Sequence, residues 1–236
     1  MIPRRVNGGW LAKPEARLLD AMVHRVPASI GPDTLTGLGI FGAVLVAVGF
    51  ALGLSSLFSV FLVFLGFGLN WLGDSLDGKV ARHRRIERKV QGFVLDNGVD
   101  LIAYTLVALG FAASGLVSLP IPFILLSLYM LLSNLALARM LISGVHSLAL
   151  DAVGTTELRV CFMGLAVLLY LLPGVFLAVV PGIGLSVLDC LSLLWAGIML
   201  VNFGFVLRRD IRSAGLADQR HARQARSGAE AERTED

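Results

Sequence analysis

Long apolar runs separated by short polar breaks dominate the chain between residues 35 and 207. Six of them approach the roughly 20 apolar residues that a bilayer-crossing helix needs. They cover Leu35–Leu54, Leu57–Gly73, Phe93–Ala113, Leu116–Ala138, Val160–Val180 and Leu185–Leu207. Membrane helices tolerate the Gly and Pro inside these runs, and small residues let neighbouring helices approach closely. Ten-residue alternating segments of the β-barrel kind are absent from the sequence. The pattern predicts an all-α polytopic membrane protein with six transmembrane helices.

Ahead of the first run, Trp10–Val26 places Leu11, Leu18, Leu19, Met22, Val23 and Val26 near helical spacing, with Lys13, Arg17 and Arg25 between them. This predicts an N-terminal amphipathic helix lying in the membrane interface. Ile30–Thr34 then breaks the pattern, and Pro32 suits the first turn of the next helix. The first apolar run starts too late, and lacks the small-residue site, for a cleaved signal peptide. Past Ile211 the chain turns polar, as a frayed helix or a disordered tail would. The expected organisation is an N-terminal cytoplasmic segment (1–31), a six-helix membrane domain (32–207) and a polar cytoplasmic tail (208–236).

Composition agrees. The chain is 56% hydrophobic and 16% charged, against about a quarter charged in soluble domains. A soluble enzyme, a nucleic-acid-binding domain and a disordered chain are all disfavoured, so no nucleic-acid partner is expected. The net charge of +3 says little, but its distribution says more. No Lys or Arg occurs between Gly31 and Gly78, or between Gly92 and Ala138. All 20 basic residues fall in the N-terminal segment, the loop around Lys79–Lys89, the loop Arg139–Arg159 and the tail. By the positive-inside rule these segments, and both termini, face the cytoplasm of a cell (inner) membrane. Arg84, Arg85, Arg88 and Lys89 read as topology determinants that touch anionic lipid. Cys161 and Cys190 lie in apolar runs and read as buried hydrophobes without a disulfide.

The chemistry concentrates where the second run ends and the third begins. There the chain reads Gly73-Asp74-Ser75-Leu76-Asp77-Gly78-Lys79-Val80-Ala81-Arg82, and later Gly92-Phe93-Val94-Leu95-Asp96-Asn97-Gly98-Val99-Asp100. Acids at membrane helix ends are costly and mark function. Asp74 and Asp77 share one helix face, as do Gly92, Asp96 and Asp100. If the two helices pack antiparallel, the four carboxylates converge. Such a cluster needs cations, and hard Mg²⁺ or Mn²⁺ ions prefer oxygen ligands. Two ions would offset the charge and bind a diphosphate, with Gly78 and Gly92 as gaps for it and Arg82 as a phosphate fork.

The string Asp74-x2-Asp77-Gly78-x2-Ala81-Arg82 followed by Gly92-x3-Asp96-x3-Asp100 resembles the signature of the CDP-alcohol phosphotransferase (CDP-alcohol phosphatidyltransferase) family. The resemblance extends in outline over the interfacial helix and six spans. It implies an enzyme of phospholipid biosynthesis that moves a phosphoalcohol group from a CDP-linked donor to an alcohol and releases CMP. It implies Asp74, Asp77 and Asp96 as metal ligands. Asp100 would be the catalytic base and would also touch the second ion. Gly78, Ala81, Arg82 and Gly92 would line the CDP site. Pro32-Asp33-x2-Thr36 is similar to a helix opening that lies near the nucleotide in the same family, which makes Asp33 and Thr36 candidate substrate residues. Lys79 sits in the motif turn within reach of phosphate. In similar enzymes the region around Arg139 and Arg159 contributes to the acceptor pocket.

Two substrate arrangements fit the resemblance. CDP-diacylglycerol can donate a phosphatidyl group to a small polar alcohol, which the compact size and the Pro32-Asp33 opening favour. Alternatively CDP-choline or CDP-ethanolamine donates to diacylglycerol, as the strings Asp77-Gly78-Lys79 and Asp96-Asn97-Gly98 suggest. An ion-coupled transporter is a remote third reading, because transporters place acids near the midplane and carry internal repeats. Similar enzymes are often homodimers, and the sequence leaves that state open here.

Overall fold

The computed structural model describes residues 4–5, 11–143, 145–146 and 155–235. Among them are eight helices and one pair of two-residue strands. The order is β1 (Arg4–Arg5), α1 (Ala12–Val23), α2 (Pro32–Ala51), α3 (Leu57–His83), α4 (Lys89–Ala113), α5 (Pro120–Ser143), β2 (Val145–His146), α6 (Thr155–Leu171), α7 (Pro173–Phe176) and α8 (Val187–Glu235). The all-α expectation holds apart from β1 and β2, which pair in parallel.

Five helices are long and apolar enough to cross a membrane: α2, α3, α4, α5 over Pro120–Arg139, and α8 over Val187–Gly215. The run expected to give one span over Val160–Val180 does not form a single long helix. Pro173 lacks the N–H that an α-helix would need there and crowds the preceding turn, so α6 stops at Leu171 and the short α7 follows. At the C-terminus α8 continues as helix to Glu235.

Each helix start has a local cause. Pro32 begins α2 after the extended Gly31. Ser56 and Ser59 form a reciprocal cap at the start of α3, with Ser56 Oγ accepting from the Ser59 N–H at 3.2 Å. Ser186 Oγ accepts from the Asp189 N–H at 3.0 Å while Asp189 Oδ2 accepts from the Ser186 N–H at 3.2 Å, which caps α8. Asp189 also accepts from the backbone and hydroxyl of Ser118, so the same carboxylate pins the α4–α5 turn.

The packing is built around α2, which lies against both α3 and α4. Glycine makes the α2–α3 contact close. A Cβ on Gly73 would come within 2.4 Å of the Leu35 carbonyl, and one on Gly66 within 2.6 Å of the Gly42 carbonyl. Val46, Phe50, Val63, Phe67, Phe111, Ala166 and Leu188 form the main core. A second cluster seats Leu19 and Val23 of α1 on Leu35, Leu76 and Val80, so one face of the amphipathic helix packs on protein. Many large apolar side chains stay exposed, among them Phe41, Phe58, Phe61, Leu194 and Phe205. Apolar surface of that extent suits lipid contact.

Candidate active site

Both motif halves are helical. Asp74, Asp77, Gly78, Ala81 and Arg82 lie near the C-terminal end of α3; Gly92, Asp96 and Asp100 lie in the first turns of α4. The sequence makes convergence of the four carboxylates conditional on antiparallel packing of these two helices. Among the described residues α3 and α4 make little direct contact, and α2 packs on both.

Asp74 is held from α6. The Arg159 guanidinium donates through Nη2 to Asp74 Oδ2 at 2.6 Å and through Nε to Asn70 Oδ1 at 3.0 Å. Asn70 in turn donates from Nδ2 to the Gly39 carbonyl of α2 at 3.0 Å. The Arg159 and Asp74 side chains are 8% and 14% exposed. Arg159 is therefore an interior residue rather than a loop cation. Arg139, the other basic residue flanking that loop, pairs with Asp210 of α8 at 2.9 Å.

Asp77 is held from α2. The Thr36 hydroxyl donates to Asp77 Oδ2 at 2.6 Å, and the Gly78 N–H donates to Oδ1 at 2.5 Å. Asp77 also feels the charges of Asp96 and Asp74. Asp96 and Asp100 are half-buried. A cavity of about 30 Å³ is lined by Asp100, Asn70, Tyr104, Thr155 and Arg159 together with apolar side chains. That is room for about one water molecule. The Tyr104 hydroxyl is buried without a hydrogen-bond partner among the described residues, and its ring lies 4.3 Å from that of Tyr129.

The remaining candidates are more open. Arg82 is exposed and 3.9 Å from Glu87 Oε1. A Cβ on Gly92 would meet nothing within 4 Å, whereas one on Gly78 would touch the Arg82 guanidinium at 3.4 Å. Ala81 is buried. Lys79 donates to Asp20 Oδ1 of α1 at 2.5 Å, and Asp33 pairs with Arg88. Arg84 donates to the carbonyls of Val26, Pro27 and Ile30, so it braces the α1–α2 connection. That is a protein contact where a lipid contact was expected.

Sequence reasoning passed over two residues. Glu15 Oε1 accepts from Trp71 Nε1 at 2.8 Å, Thr156 Oγ1 at 3.1 Å and Ser75 Oγ at 3.3 Å, joining α1 to α3 and α6. Asn70 was legible in principle: it is a polar residue inside an apolar run, one turn before Asp74 on the same face.

In donor type and charge the four aspartates fit hard divalent ions. The Asp74 hydrogen bond uses Oδ2, which leaves Oδ1 for another ligand. The carboxylates do not converge by themselves: among the described residues no three His, Cys, Asp or Glu side chains have metal-ligand spacing. Like charges repel, and Arg159 and Thr36 hold two of the four on separate supports.

A protein-family model described as CDP-alcohol phosphatidyltransferase matches residues 30–206. The search of curated proteins found no match.

Proposed function

Because the chain belongs to the CDP-alcohol phosphatidyltransferase family, whose reaction is a CMP-releasing transfer, we propose that it moves the phosphatidyl group of CDP-diacylglycerol to a small polar alcohol in phospholipid biosynthesis. The observation that carries this reading is the placement of Asp74, Asp77, Gly78, Ala81 and Arg82 towards the C-terminal end of α3 and of Gly92, Asp96 and Asp100 in the N-terminal half of α4.

In this reading the acceptor hydroxyl attacks the β-phosphorus of the donor. The new P–O bond forms as the bond to the bridging oxygen breaks, and CMP leaves with that oxygen. Asp100 takes the hydroxyl proton, which a positioned carboxylate does in the transition state. Asp74, Asp77 and Asp96, with Asp100, would hold Mg²⁺ or Mn²⁺, which supplies charge neutralisation at the diphosphate. Arg82 is exposed and would meet phosphate oxygens. Gly92 would leave room for the diphosphate.

The membrane arrangement follows the charges. All 20 basic residues belong to segments that positive-inside reasoning puts in the cytoplasm, which supports a cytoplasmic site and cytoplasmic termini. The segment α6–α7 would supply the sixth crossing, giving a membrane domain over 32–207 between an N-terminal segment and a C-terminal tail. A cytoplasmic site at the bilayer edge lets a lipid-tailed donor meet a water-soluble acceptor.

The test is a CMP-release assay on purified protein with Mg²⁺ or Mn²⁺. CDP-diacylglycerol and CDP-choline are each crossed with a panel that includes small polar alcohols and diacylglycerol. Release from CDP-diacylglycerol with a polar alcohol supports the proposal. Release only from CDP-choline with diacylglycerol shifts it to the amino-alcohol branch, and no release from any pair overturns it.

A further inference from the structure

Arg159 lies outside the two motif strings, yet it makes the shortest contact to the first motif aspartate. Its guanidinium could take both oxygens of Asp74 in a fork, the usual strong geometry for such a pair. It does not. One edge goes to Asp74 Oδ2 at 2.6 Å, and Nε goes to Asn70 Oδ1 at 3.0 Å. Asn70 is fixed by the Gly39 carbonyl of α2 at 3.0 Å. The guanidinium is thus locked by α2 and α3 together, and it grips a single oxygen of Asp74. Oδ1 is left for another ligand.

Position adds a second observation. Arg159 and Asp100 line the same small cavity, and each feels the other's charge. One fixed cation from α6 thus contacts a carboxylate of α3 and shares a cavity wall with a carboxylate of α4. A pair whose only task was to join α3 to α6 would gain nothing from the one-oxygen grip.

We infer that Arg159 is a positioning residue: held by Asn70, it orients Asp74 so that Oδ1 serves a divalent cation, and its charge offsets part of the carboxylate cluster. The inference rests on the ion-binding part of the function proposed above. Partners of ligating carboxylates orient them, and their loss costs about 10–100-fold in metal affinity.

Two opposing effects separate the variants. Removing a positive charge favours cation binding, whereas removing the orientation disfavours it. Arg159→Lys keeps the charge and loses the planar two-sided grip. Asn70→Ala keeps Arg159 and removes its second anchor. The experiment titrates Mn²⁺ into full-length, substrate-free protein in detergent and follows free ion by electron paramagnetic resonance. Thermal melting in EDTA, run in parallel, reports folding. Both variants should bind Mn²⁺ about 10–100-fold more weakly than the parent. Unchanged or tighter binding in variants that still melt cooperatively overturns the inference and leaves the proposed function standing. If the parent itself binds no Mn²⁺, the ion-binding reading falls and this inference falls with it. Should Arg159→Lys fail to fold, Asn70→Ala decides.

Discussion

Thr36 of α2 donates its hydroxyl to Asp77 Oδ2 of α3 at 2.6 Å. The helix that packs on both α3 and α4 therefore also reaches into the motif. Thr36→Val removes the donor while keeping the shape. Hydrogen bonds to charged groups are worth about 1.5–3 kcal/mol, so the melting temperature should fall and CMP release should drop. Thr36→Ser should restore most of both. Equal activity in the parent and Thr36→Val would remove Thr36 from the site.

Gly73→Ala should be severely destabilising. Its Cβ would lie 2.4 Å from the Leu35 carbonyl and 2.5 Å from the Gly39 nitrogen, and backbone on both sides cannot step aside. Overpacking typically costs about 1–3 kcal/mol, and more when nothing yields. Gly68→Ala is the matched control, since its Cβ would meet nothing within 4 Å. Helix propensity alone predicts that it gains up to about 1 kcal/mol. Unfolding midpoints in mixed micelles compare the two.

Gly92→Ala separates folding from binding. Nothing in the protein lies within 4 Å of the added methyl, so the melting curve should not shift downward. If Gly92 gives a diphosphate room, KM for the CDP donor should rise several-fold. An unchanged KM would place the nucleotide elsewhere.

Asp100→Asn keeps the size of the side chain and removes its basicity. General-base catalysis contributes about 10²–10⁴-fold, and the rate of CMP release should fall by that order at an unaltered melting temperature. Retained transfer would remove Asp100 as the base.

Periodicity and charge were enough to locate five of the six apolar runs as long helices and to put both motif halves at helix ends. They could not say which helices pack together, because an apolar stripe names a face and not its partner. The packing of α2 on both α3 and α4 depends on backbone approaches to α3 at Gly42, Gly66 and Gly73 and to α4 at Gly110, and composition only hints at these. The charge pattern puts Arg159 at the edge of the second cytoplasmic loop, and the resemblance puts it near the acceptor pocket. It lies one turn inside α6, where Asp74 and Asn70 draw it into the interior. The fifth run failed as a single span because Pro173 ends the helix before the apolar stretch ends.

The three donors gathered on Glu15, with Leu19 and Val23 seated on Leu76 and Val80, make the surface helix a strut between α3 and α6. A chain trimmed to start at Pro32 would keep every apolar segment and every motif residue. It would also uncover Leu76 and Val80 and leave the Trp71, Ser75 and Thr156 donors, one of them between the two α3 aspartates, without their acceptor. A piece that keeps these contacts therefore begins upstream of Glu15, well before the apolar pattern does.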